Sequence, residues 1–230
     1  MDTVKISRDF YRLIPSRFPP VSVYAGLVPD QDIDRLIEVE NATNPRLISQ
    51  MRLREVYSDP ASPQLQNWNL APFKYVNPEG TKFFRPSRAA LELADTIQTA
   101  LAISVQKRAT FLSRTNELAA GLDMRMLKTP VSGEFVDLRH VSTETDRDAR
   151  WEKGDQIPES SSGILFTPME RPSATCVAIL RGDVLGRSIQ SSHYRYTWNG
   201  SEIDSIYAFD NDGGEIDPRE LGQPTSALVA

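Results

Sequence analysis

Residues 194–207 read Y-R-Y-T-W-N-G-S-E-I-D-S-I-Y. Two runs of alternating apolar and polar residues flank Asn199-Gly200, which is the strongest short-range sign of a β-hairpin. The dipeptide predicts a type I′ turn, because both of its central positions need positive φ and Asn and Gly tolerate it. Tyr196 and Trp198 read as core residues of this hairpin rather than ligand contacts. No other local signal in the chain constrains the fold as tightly.

Other segments repeat the strand signature. Leu122, Met124 and Met126 alternate with Asp123 and Arg125, which predicts a half-buried strand over 122–127. Phe135–Leu138 reads as a further strand, and Gly163–Thr167 and Ala174–Leu180 as buried ones separated by P-M-E-R-P-S. Trp68, Leu70 and Phe73 suggest a short strand leading into a turn at Asn77–Gly80, where Pro78 fixes its own φ and Gly80 permits φ > 0. A helix is predicted over 96–112. Thr96 can cap it, and Ile97, Ala100, Leu101, Ser104 and Val105 recur at helical spacing. A second helix is expected from Pro29-Asp30 to Asn44-Pro45, with Ile33, Leu36 and Ile37 on one face. Residues 1–10 carry no strong signal, and the prolines of 11–24 exclude a helix there. Residues 46–70 read as irregular, and 142–155, strongly charged, as a short exposed helix or a loop. The run from Asp210 is acidic, Gly-rich and then small, which predicts a flexible tail over 210–230.

Composition narrows the class. With 230 residues the chain is long enough to bury a sizeable core. A net charge of −5 argues against broad nucleic-acid binding. The single cysteine, Cys176, lies in the apolar run T-C-V-A-I-L and reads as a buried, inert thiol. One Cys and two His make a zinc site improbable, so no metal is expected. No signal-peptide pattern or long apolar run is present, which makes the cytoplasm the default expectation.

Residue chemistry alone assigns no enzyme class. There is no dinucleotide fingerprint, Walker loop, zinc-protease motif or nucleophile elbow. His140 and His193 each flank a strand and read as structural. Arg12, Arg17, Arg46, Lys82, Arg85 and Arg88 are candidate anion contacts, with scattered surface cations as the plainer alternative.

Taken in order, several segments resemble the long-form RES-domain proteins. They are Y-R-L-I-P-S-R-F-P-P at 11–20, A-T-N-P-R-L at 42–47, N-P-E-G-T-K-F at 77–83, the pair L-D-M-R-M-L and F-V-D-L-R-H, S-G-I-L-F at 162–166, C-V-A-I-L at 176–180, and H-Y-R-Y-T-W-N-G at 193–200. The resemblance covers roughly residues 11 to 206. It implies an α+β fold like that of ADP-ribosyltransferases, with a mostly antiparallel pair of sheets surrounded by helices. The corresponding organisation is one RES-like domain over 1–209, with 1–70 as an N-terminal extension packed on it. RES proteins are typically toxins of bacterial toxin–antitoxin pairs that consume NAD⁺ by glycohydrolase or phosphorylase chemistry. The partners implied are an Xre-type antitoxin, a RES paralogue or a second copy of the chain.

The family's named positions are all changed. The Arg of the N-P-x-G-S-R-F segment is Lys82, the Tyr about ten residues on is Glu92, and the Glu inside the helix is Ile103. The Ser after the G-I-x-Y segment is Pro168, and the Arg just beyond it is Glu170. Lys82 keeps a charge but loses the planar fork. Glu92 is a poor stacking platform. Ile103 matters most, since breaking the nicotinamide bond builds positive charge on ribose and a carboxylate stabilises it. By analogy, losing one preorganised group of this kind costs on the order of 10²–10³ in rate. The resemblance therefore implies a catalytically impaired protein that acts by binding, with no cofactor of its own. The alternative is an active enzyme using NAD⁺ as substrate through Lys82, Arg85, Arg88 and Glu92.

Overall fold

A computed structural model of the chain describes residues 2–16, 67–74, 77–143, 146–209 and 213–224. Among them are eight strands: β1 (Thr3–Pro15), β2 (Leu91–Ala94), β3 (Ala120–Asp137), β4 (Gly163–Phe166), β5 (Cys176–Ile179), β6 (Ile189–Trp198), β7 (Ile203–Ala208) and β8 (Gly214–Ile216). The helices are α1 (Asn67–Lys74), α2 (Ile97–Ser113) and α3 (Arg147–Asp155). The class is α+β. None of these helices is long and apolar enough to cross a membrane.

One continuous sheet replaces the expected pair. Its order is β1-β2-β5-β4-β3-β6-β7-β8, and β1 also pairs with β3. All pairings are antiparallel except β3 with β4. The second contact of β1 closes five strands on themselves, β1-β2-β5-β4-β3 and back to β1. Every strand of this ring sends side chains to one cluster: Phe10, Leu91 and Leu93, Val131 and Phe135, Leu165, and Val177 and Ile179. The alternate residues, including Ala94, Ile164, Phe166, Cys176 and Ala178, face a second and larger cluster with α2, β6 and β7. A strand period of two thus divides one sheet between two cores.

Several sequence expectations hold. The 96–112 helix is α2, and Thr96 caps it by accepting the Thr99 N–H at 3.2 Å. Gly163–Phe166 and Cys176–Ile179 are buried strands at every position. The hairpin is β6–β7, with Tyr196 and Trp198 fully buried. Its turn is longer than the type I′ form. Trp198 pairs with Ile203, the Asn199 N–H bonds the Glu202 carbonyl at 3.1 Å, and Gly200 takes φ 102° inside the loop. The Asn199 side chain accepts the N–H groups of Ser201 and Glu202 instead of sitting at the turn's centre.

Other expectations are corrected. Asn67–Lys74 is helical, so the strand inferred from Trp68, Leu70 and Phe73 does not form. The runs 122–127 and 135–138 belong largely to one strand, β3, which continues through Pro130 and Gly133. Residues 3–15 are not an extension laid on the domain. They are β1, paired with β3 along their whole length, and Phe10 is fully buried in the ring. The region from Gly213 to Pro224 is not a loose tail: β8 pairs with β7, and Leu221 is buried. Gln98 donates to the Leu221 carbonyl, and Arg171 to those of Gln223 and Pro224. Within the charged run 142–155, read as a short helix or a loop, Arg147–Asp155 is the helix α3, capped by Asp146. The helix expected over 30–44 and the irregular run up to residue 66 lie outside the described residues.

Candidate functional site

β2 splits its side chains between the two cores. Leu91 and Leu93 enter the ring, so Glu92 emerges on the opposite face, toward α2. On α2 the residues Ala100, Ile103, Ser104, Lys107 and Arg108 follow i, i+3, i+4, i+7, i+8 spacing and share one face. Between β2 and this face lies a cavity of about 240 Å³. Tyr11, Arg12 and Leu13 of β1 line it, together with the 80–82 turn, Phe166 and Cys176.

The turn is fixed from two sides. Gly80 takes φ 70°, and the Asn77 side chain donates to the Gly80 carbonyl at 2.7 Å. From α3, Trp151 donates its indole N–H to the Thr81 carbonyl at 3.1 Å, and Arg150 donates to the Lys82 carbonyl at 3.0 Å. The result aims the Lys82 backbone N–H at Glu92 Oε1, 2.9 Å away.

Charges at the cavity are largely committed to one another. Glu92 Oε2 pairs with Lys107 Nζ at 2.9 Å, and Lys82 Nζ pairs with Glu170 Oε1 at 2.7 Å. Burial pushes the Glu92 carboxyl up, but Lys107 and the Lys82 N–H outweigh it and hold it below the ordinary value. Lys107 is raised in turn, chiefly by Glu92. Both groups are therefore ionised at neutral pH. Burial lowers Arg12 to about 10, which leaves it cationic, and Arg108 also falls through burial. Cys176 is raised well above an ordinary thiol, first by burial and then by Glu92, Asp95 and Glu170, so it is not a nucleophile.

The sequence-derived site residues divide. Lys82, Glu92 and Ile103 all line the cavity. Arg85 and Arg88 do not. Arg85 pairs with Asp155 at 3.0 Å and stacks over Trp151, while Arg88 donates to the carbonyls of Gly154, Ile157 and Pro158. Both fasten α3 and its following loop to the 80–88 segment. Pro168 is buried but lies off the cavity wall, and the nearby Thr167 hydroxyl donates away, to the Arg139 carbonyl. Lys107, Arg108 and Ser104 were missed. Their spacing from Ile103 would have found them, since 103, 104, 107 and 108 must share a helical face. Arg12, one of the candidate anion contacts, also lines the cavity, carried there by β1. Arg17 and Arg46 lie outside the described residues. Among the described residues no group of three or more His, Cys, Asp or Glu is placed to hold a metal ion.

A family model described as RES domain matches residues 60–199. An uncharacterized protein, y4oC, from Sinorhizobium fredii is 60% identical over 229 residues, spanning all of both chains. The matched segment begins after β1 and ends before β7, so it omits three strands of the sheet described above.

Proposed function

The chain belongs to the RES domain family, and from that premise we propose that it has left the family's NAD⁺-consuming chemistry and acts by binding. One observation carries this reading. Three of the changed family positions are bonded to each other: Lys82 to Glu170 through its side chain, and Lys82 to Glu92 through its backbone. Groups that would grip a dinucleotide are instead satisfied internally, and the helix position expected to hold a carboxylate carries Ile103. No preorganised anion then faces a developing ribose cation from α2. The partner classes that fit are those of the family, an Xre-type protein or another RES chain, in the cytoplasm.

A depletion assay on purified protein, with NAD⁺ and with or without phosphate, tests the proposal. The native protein is expected to be silent. The quadruple variant Lys82→Arg, Glu92→Tyr, Ile103→Glu, Pro168→Ser is expected to consume NAD⁺. Appreciable turnover by the native chain would end this reading in favour of a second one, in which the ionised Glu92 serves as the working carboxylate. In that case Glu92→Gln abolishes the activity.

A further inference from the structure

Among the described residues four cations line the cavity, and they are not equivalent. Lys82 and Lys107 are neutralised by Glu170 and Glu92, and Arg12 is already engaged. Arg108 is half-buried and makes no hydrogen bond or ion pair among the described residues. It stands one turn beyond Ser104 on the same helical face, and the same cavity is also lined by the apolar Ile103, Ala100, Leu13 and Phe166. A half-buried guanidinium at a cavity, without a partner among the described residues, is a receptor for a planar oxyanion, because its parallel N–H groups match two carboxylate oxygens.

We propose that this cavity binds a small organic monocarboxylate, its head on Arg108 and its apolar body against Ile103 and Phe166. Size and charge both select this class. At about 240 Å³ the cavity has room for a body the size of a benzene ring. A pyrophosphate carries at least two charges and needs several uncommitted donors, whereas Lys82 and Lys107 are already paired. A single carboxylate needs only the one guanidinium. Ile103, which removes the catalytic carboxylate expected from the family, supplies apolar surface to the same ligand.

The inference rests on the reading of the cavity as a binding site, and its failure is separable from that of the lost NAD⁺ chemistry. Benzoate and hexanoate are titrated into the intact chain by calorimetry, alongside benzamide, phenyl phosphate and NAD⁺. The expected result is saturable binding of at least one carboxylate at millimolar or lower concentration, with benzamide silent. Arg108→Gln is expected to weaken that binding by about ten-fold or more, and Arg108→Lys by less. Carboxylate binding that survives Arg108→Gln unchanged overturns the proposal. So does the absence of binding by either carboxylate, or equal binding of benzamide. Tighter binding of phenyl phosphate or NAD⁺ than of either carboxylate also overturns it. NAD⁺ turnover, read separately, bears only on the proposed loss of catalysis.

Discussion

At the residue scale, Glu92 concentrates the physics of the site. Its side chain is 15% exposed, against 55% for Lys107, so the pair sits at a boundary rather than in a dry interior. Removing the carboxylate leaves the Lys107 ammonium near water but costs Lys82 N–H a charged acceptor. Glu92→Gln is therefore expected to destabilise the fold by about 1–2 kcal/mol. The pH dependence follows from the shifts. Glu92 lies below its ordinary 4.5 in the folded chain, so its contribution is present above 4.5 and lost as pH falls through the folded value. Lys107 lies above 10.5, so its contribution is present below 10.5 and lost as pH rises through its folded value. Melting temperatures across pH should therefore show the wild-type advantage over Glu92→Gln flat near neutrality and shrinking below about pH 4.5. An advantage that grows in acid would contradict the assigned ion pair.

At the element scale, the 77–84 turn and α3 form one unit that presents Lys82. A Cβ on Gly80 would lie 2.6 Å from the Phe84 carbonyl oxygen and 2.9 Å from the Trp151 ring, at a φ of 70°. Gly80→Ala is expected to cost about 2–4 kcal/mol, combining the left-handed penalty with the clash. Gly200 also has positive φ, but nothing lies within 4 Å of its added Cβ. Gly200→Ala should therefore lose only the conformational part, about 1–2 kcal/mol. Denaturant melts of the two variants compare them directly, and equal losses would show that the Trp151 contact does not constrain the turn. The Asn77 turn and α2 were legible because their signals are local: a Pro-Gly pattern, a Thr cap and a helical period. The strand expected near Trp68 was misread because Trp68 and Leu70 are two apart, as in a strand, while Leu70 and Phe73 are three apart, as in a helix, and nothing local chose between the periods.

At the scale of the whole molecule, the sheet closes through its first strand. β1 pairs with β3 throughout, touches β2 at Tyr11–Ala94, and plugs the ring with Phe10. The family-matched segment 60–199 lacks that strand and also β7 and β8. A fragment of residues 60–199 is expected to remain unfolded, with no cooperative thermal transition by circular dichroism, because β3 would lose its partner β1 and β6 its partner β7. A sharp melt from this fragment would show that the ring closes without its first strand. The C-terminal stretch behaves likewise: Leu221 is 1% exposed, and Arg171 spends its donors on the carbonyls of Gln223 and Pro224 and the hydroxyls of Thr96 and Thr99.

The amino-acid sequence alone determined the class, the hairpin, α2 and the two short buried strands, and it singled out Lys82, Glu92 and Ile103, which line one cavity. Each depends on residues near in the chain, or on an ordered set of segments resembling a family. Tertiary structure alone decided which cations face the cavity and which bind neighbours. Arg85, Arg88 and Lys82 look alike in sequence, yet two brace α3 while one meets Glu170. It also decided that residues 3–15 and 214–224 are structural. Their polar, weakly alternating sequences bury little on their own, and only pairing with β3 and β7 and the long-range bonds to Gln98 and Arg171 hold them in place. Local pattern records periodicity, whereas the partner of a backbone edge or a guanidinium lies tens of residues away and leaves no trace in its own segment.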